Sequence, residues 1–178
     1  MILSNNLENE FIDFVSGLLD EHLCNTDKSF FRYRQDVNGS INALRKSITD
    51  SYTASVLDKL LDCNLKMVRH QTMCALIRGV TFGIDYRRSY VPEDGRIGDL
   101  SGYRNLIYVK DYADLHEEAA SLRKRFKSLV TYEKWLEYRD CMKKYDLMSK
   151  YIIHKSFNIA NDTFLKWEKK YCGETYHF

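Results

Sequence analysis

The 178-residue chain has a single proline, Pro92, and its eight glycines are bunched, with Gly79, Gly83, Gly95, Gly98 and Gly102 falling inside one stretch. Proline cannot continue a helix and glycine weakens one, so regular structure is expected to pause between Gly79 and Asn105. Long apolar runs are missing too. None approaches the ~20 residues that a membrane-crossing helix needs, and the opening MILSNNLENEF has no basic region followed by a long apolar run, so neither a membrane partner nor a secretory leader is expected. The five cysteines, Cys24, Cys63, Cys74, Cys141 and Cys172, are odd in number, widely spaced and without a C-x-x-C, which argues against a disulfide framework and against a zinc module. A reducing cytoplasm, or nucleus, is the simplest compartment.

Catalytic and cofactor motifs are equally thin. No histidine lies four residues from another, and in His116-Glu117-Glu118 the place of the second histidine of a metal-binding H-E-x-x-H is taken by Ala120. No G-x-S-x-G occurs, the glycines at 95, 98 and 102 are not followed by the lysine and hydroxyl of a phosphate loop, and nothing beside Cys74 or Cys141 would lower a thiol pKa. The expectation is a protein that is not an enzyme and takes no metal and no cofactor.

What is there is helix. Asn5-Asn6-Leu7-Glu8 reads as a cap, and Leu7, Phe11, Phe14, Val15, Leu18 and Leu19 mark an apolar face running to about Cys24. Further helices are expected over about Lys28–Val37, stopped by Asn38-Gly39; from Ser40 through Ile41, Leu44 and Ile48; from Asp50-Ser51 to Cys63; and from an Asn64 cap to the first central glycines. Beyond the centre, Leu106-Ile107-Tyr108-Val109 fits a strand or a helical turn and is read as helix. Asp111 and Asp114 can cap the clearest stripe in the chain, Leu115, Ala119, Leu122, Phe126 and Leu129. Thr131 caps a helix carrying Trp135, Met142, Tyr145, Ser149 and Ile152, and a last one shows Phe157, Ala160, Phe164, Trp167 and Tyr171 before Gly173. The expected class is all-α: two small bundles, eight or nine helices in all, with an N-terminal subdomain over 1–90 and a C-terminal one over 91–178. Bundles of that size bury only about 60–65% of their unfolded surface, which makes self-association attractive.

Net charge is only +2, so its distribution carries the argument. Residues 1–91 balance at eleven Lys/Arg and eleven Asp/Glu, residues 92–122 are acidic at three against seven, and residues 123–170 are basic at thirteen against six. Arg123, Lys124, Arg125 and Lys127 put four cations into five residues. The helical stripe turns Lys124 and Lys127 to the solvated side and sets Arg123 and Arg125 beside the buried face. Such a group suits phosphate; equally, basic residues suit the negative end of a helix dipole, and their stems cover apolar surface. Arg87 and Arg88, bracketed by Tyr86 and Tyr90, with Arg96 and Arg104 beyond, could grip a phosphate backbone with rings ready to stack, or could pair with Asp85, Glu93, Asp94 and Asp99. Thirteen tyrosines, ten from Tyr90 onward, suit core edges, subunit interfaces and base stacking alike.

The size, the two helical halves and the glycine-arginine-tyrosine centre GVTFGIDYRRSY…GRIGDLSGY, from Gly79 to Tyr103, resemble the 21-kilodalton RNA-silencing suppressors of closteroviruses. That resemblance implies a viral helical protein of the host cell cytoplasm. It would assemble into a homo-oligomeric ring, an octamer, whose basic inner surface binds siRNA-like duplexes without reading their sequence. RNA and further copies of the chain are the expected partners, with Arg87, Arg88, Arg96, Arg104, Arg123, Lys124, Arg125 and Lys127 as the candidate RNA-binding residues. The alternative is a helical interaction module of viral origin, a Bcl-2-like bundle that takes a partner helix from a host protein in an apolar groove.

Overall fold

Apolar residues recurring every three or four positions run without interruption for far longer than the capping signals suggest, and the helices follow them. The computed structural model describes residues 17–88 and 109–172, with side chains for 17–79, 112–166, 169 and 170. These residues form five helices and no strand: α1 over 17–25, α2 over Lys28–Ser47, α3 over Ser51–Arg88, α4 over Val109–Leu129 and α5 over Tyr132–Cys172. The all-α class is as expected, while the count of eight or nine helices is not confirmed. The expected cap at Asn5, the apolar residues before Gly17, the glycine-rich stretch beyond Arg88 and Gly173 lie outside the described residues.

Three expected breaks outside the glycine-rich centre are absent. Asn38-Gly39 lies inside α2, because Val37 and Leu44 are both buried and Ile41 continues their stripe. Ser40 is therefore no cap; its hydroxyl donates to the Asp36 carbonyl one turn back, at 2.8 Å. Asn64 lies inside α3 and is buried, its side-chain amide donating to the Met142 sulfur at 3.5 Å. The two helices expected after Thr131 are the single 41-residue α5. Where caps do form, they match their chemistry. Asp50 accepts from the Thr53 amide at 2.7 Å and from its hydroxyl at 2.6 Å, which holds the Asp50 carboxyl below its ordinary pKa. Thr131 accepts from the Lys134 amide at the start of α5, at 3.4 Å. Asp111 falls within the first turn of α4, which opens at Val109.

The chain divides into two compact units, and the boundaries fall inside α3, after Gln71, and inside α5, after Ile152. One unit takes its described residues from Met1–Thr26, Thr72–Ile107 and Ile153–Phe178. Its buried residues are Leu19 and Leu23 of α1, Ala75, Leu76 and Gly79 of α3, and Ser156, Ala160 and Phe164 of α5. Gly79, expected to end a helix, sits within one at a close crossing. A Cβ there would meet the Phe157 carbonyl oxygen, and would come to 2.8 Å from Ala160 Cβ and 3.1 Å from Asn161 N.

The other unit, Asp27–Gln71 with Tyr108–Ile152, is an up-down-up-down four-helix bundle. Its contacts establish the order. Arg45 near the end of α2 meets Asp58 near the start of α3, Gln71 donates to the Tyr112 hydroxyl early in α4, and Phe126 late in α4 packs on Tyr138 early in α5. Tyr151 then returns to the start of α2, where its hydroxyl donates to Asp27 at 2.6 Å. The core draws on all four helices: Leu44, Val56, Leu57, Leu60, Cys63, Ala119, Phe126, Tyr138 and Cys141. Burial pushes the Cys63 and Cys141 thiols and the Tyr138 hydroxyl up, and the Tyr145 hydroxyl up to about 12.

Asp27 ties this bundle shut at one end. One carboxylate oxygen caps α2 through the Phe30 amide at 3.0 Å while the other takes the Tyr151 hydroxyl, and the residue is only 7% exposed. Losing a cap costs about 0.5–2 kcal/mol, and losing the hydrogen bond from the Tyr151 hydroxyl adds about 0.5–1.5 kcal/mol. Asp27→Ala is therefore expected to lower stability in urea by roughly 1–3 kcal/mol, with Asp27→Asn losing less because it keeps the cap. Equal stability of Asp27→Ala and the parent protein would remove Asp27 from this role.

Candidate nucleic-acid interface

The cations of α4 are positioned by its own stripe. Ala119 and Phe126 are buried, at 1% and 0% exposure, and this fixes the rotation of the helix. Arg123 and Arg125 then emerge on opposite flanks of the buried face. Arg123 turns toward α5, where its guanidinium counters the effect of burial on the Tyr138 hydroxyl. That hydroxyl is buried near Arg123 and Asn64 yet meets hydrogen-bond geometry with neither. Arg125 turns toward α3 and lies over the Tyr52 ring, 5.2 Å from its centroid. Lys127, expected to point away from the bundle, instead reaches the Trp135 ring of α5 at 5.6 Å, and Trp135 is itself stacked on Tyr138. Lys124 is exposed.

Elsewhere on this bundle five cations have carboxylates, while others, Lys46, Lys59, Arg139 and Lys143 among them, have none among the described residues. Arg45 pairs with Asp58, Lys66 with Asp62, Lys134 with Glu137, Lys144 with Asp140 and Lys150 with Asp146. Among the described residues none of Arg123, Lys124, Arg125 and Lys127 has such a partner. Arg125 and Lys127 rest on aromatic rings instead, contacts worth about 0.5–1 kcal/mol each at exposed sites, which hold a cation in place without neutralising it. The result is a group of cations without ion-pair partners among the described residues, at the end of the bundle where α4 stops and α3 and α5 begin. At the same end Tyr52 is 46% exposed and Tyr132, the first residue of α5, is 70% exposed.

Arg87 and Arg88 are the last two residues of α3, helical where a loop was expected, and their side chains lie outside those described. Arg96 and Arg104 lie outside the described residues altogether. Reading the sequence missed Tyr52, Tyr132 and Trp135, since only the antiparallel arrangement of α3, α4 and α5 brings them to the α4 cations. Among the described residues no group of His, Cys, Asp and Glu could hold a metal ion, and no helix is long and apolar enough to cross a membrane. No protein family, no curated protein and no solved structure matches this chain.

Proposed function

We propose that this protein binds RNA through the cationic end of its four-helix bundle, without reading sequence, and that it suppresses RNA silencing in the host cytoplasm by sequestering short duplexes. The observation that supports this is the set of four cations in α4 that face no carboxylate among the described residues, two of them resting on the Tyr52 and Trp135 rings, with Tyr132 exposed at the same end of the bundle. Phosphate is the anion that such a set lacks. Duplex RNA is held largely through phosphates and 2′-hydroxyls, so arginines and lysines on a shaped surface suffice and no base-reading element is needed. Catalysis and a cofactor have no part in this reading. Assembly into a ring, as in the suppressors that the sequence resembles, would repeat the patch around one cavity and turn a modest charge per chain into a strong local field.

The test is binding of fluorescent 21-base-pair duplexes of unrelated sequence, measured across salt concentrations, with the mass of the free protein taken by size exclusion. Log affinity is expected to fall with log salt by about 0.7–0.9 for each phosphate engaged, equally for all sequences, and the purified protein to run as a large assembly carrying nucleic acid. A flat salt response or a marked sequence preference would overturn the reading. A clean monomer or dimer that ignores RNA would point to a helix-groove interaction module instead.

A further inference from the structure

The geometry points to recognition of the open end of an RNA duplex, its last base pair together with the adjoining phosphates, in place of the duplex flank. This rests on the RNA-binding reading above and concerns what part of the RNA the same site takes.

Two features of the site lead there. The first is reach. Arg123 to Lys127 spans only about 6 Å of helix axis at ~1.5 Å per residue, less than two steps of one strand at ~3.4 Å each. A module that holds the side of a duplex covers on the order of 16 base pairs across two minor grooves, and needs cations strung over a comparable length.

The second is the rings. Tyr132 is 70% exposed and Tyr52 46% exposed, and both stand at the helix end that carries the cations. Along a duplex flank the base faces are covered by their neighbours in the stack, and an open tyrosine ring there has only phosphate and ribose to touch. At a terminus the last base pair presents a bare face. Stacking of a base on an aromatic side chain is worth about 1–3 kcal/mol. A few cations beside an uncovered ring therefore match a strand end, where one bare base face and a few phosphates occur together. In this arrangement Tyr132 covers the terminal pair, while Arg123, Lys124, Arg125 and Lys127 hold the first phosphates of the two strands.

Counting ends against length tests this. Duplexes of 21 and 63 base pairs with identical terminal sequences are titrated with the full chain, and the protein bound at saturation is measured by sedimentation. End recognition gives the same number of protein assemblies per duplex at both lengths, whereas flank binding gives about threefold more on the longer one. In parallel, Tyr132→Ala is expected to weaken binding to the 21-base-pair duplex roughly five- to hundredfold, and Tyr132→Phe, which keeps the ring, to leave it unchanged. Saturation that scales with length, tighter binding to an unpaired 21-mer than to the duplex, or full affinity in Tyr132→Ala would each overturn the inference while leaving RNA binding standing. Failure to bind any of these RNAs would overturn both.

Discussion

Replacing Arg123, Lys124, Arg125 and Lys127 together by glutamine is expected to weaken RNA binding about a thousandfold at low salt and to leave the helix content intact. A cation about 4 Å from a phosphate in a water-like environment gains about 1 kcal/mol, so four such contacts amount to about 4 kcal/mol. Glutamine keeps the length and much of the helix propensity of the originals, so the helix itself is not at issue. The salt dependence is expected to flatten in the same variant, because the phosphates it no longer engages keep their counterions. A different outcome follows if these residues serve only as dipole partners and stem cover at the end of α4. Then the variant loses about 0.3–1 kcal/mol of stability per charge, together with the contacts on Tyr52 and Trp135, and keeps its affinity. The two readings thus move different observables. Lys66→Gln with Lys144→Gln makes the necessary control, since it removes positive charge from the same bundle at sites that already have Asp62 and Asp140 beside them. If the control weakens binding as much, charge for charge, net charge and not this site is responsible.

Much of the helical pattern can be read from spacing alone. In α2 the sequence 37, 41, 44, 48 steps by four, three and four straight through Asn38-Gly39. In α5 the positions 135, 138, 142, 145, 149, 152, 156, 160 and 164 continue the same face across the point where a new helix was expected. At Asn38-Gly39 the stripe overrides a local stop signal, since a glycine within a helix costs about 1 kcal/mol and burying a single large apolar side chain outweighs that. Between Ile152 and Phe157 no glycine or proline interrupts it. Tertiary packing therefore decides. The rotation of α4 was legible for the same reason, and Arg123 and Arg125 flank its buried face as that stripe implies. The rings beside them were not legible. Tyr52, Tyr132 and Trp135 lie on other helices, and no periodicity within one helix says which neighbour it will face.

Gly79→Leu is expected to cost several kcal/mol, and Gly79→Ala about 1–3 kcal/mol, because the first added carbon already collides with the Phe157 carbonyl and with Ala160. Backbone cannot swing aside as a side chain can, so α3 and α5 would have to separate. Small residues stand four apart on both helices here, Ala75 and Gly79 on one, Ser156 and Ala160 on the other, and all four are buried. The glycine is thus selected for closeness of approach. Gly39 makes the counterexample within the same molecule, since it too lies inside a helix but a Cβ there would meet nothing within 4 Å. At that position alanine brings only its better helix propensity, and Gly39→Ala should stabilise the protein by about 0.5–1 kcal/mol. The same chemical change is therefore expected to shift the melting temperature in opposite directions at the two sites, by about 2–4 °C per kcal/mol for a chain of this size. A rise in melting temperature for Gly79→Ala would mean that the two helices are not held this close, and that the glycine at 79 weakens α3 as the one at 39 weakens α2.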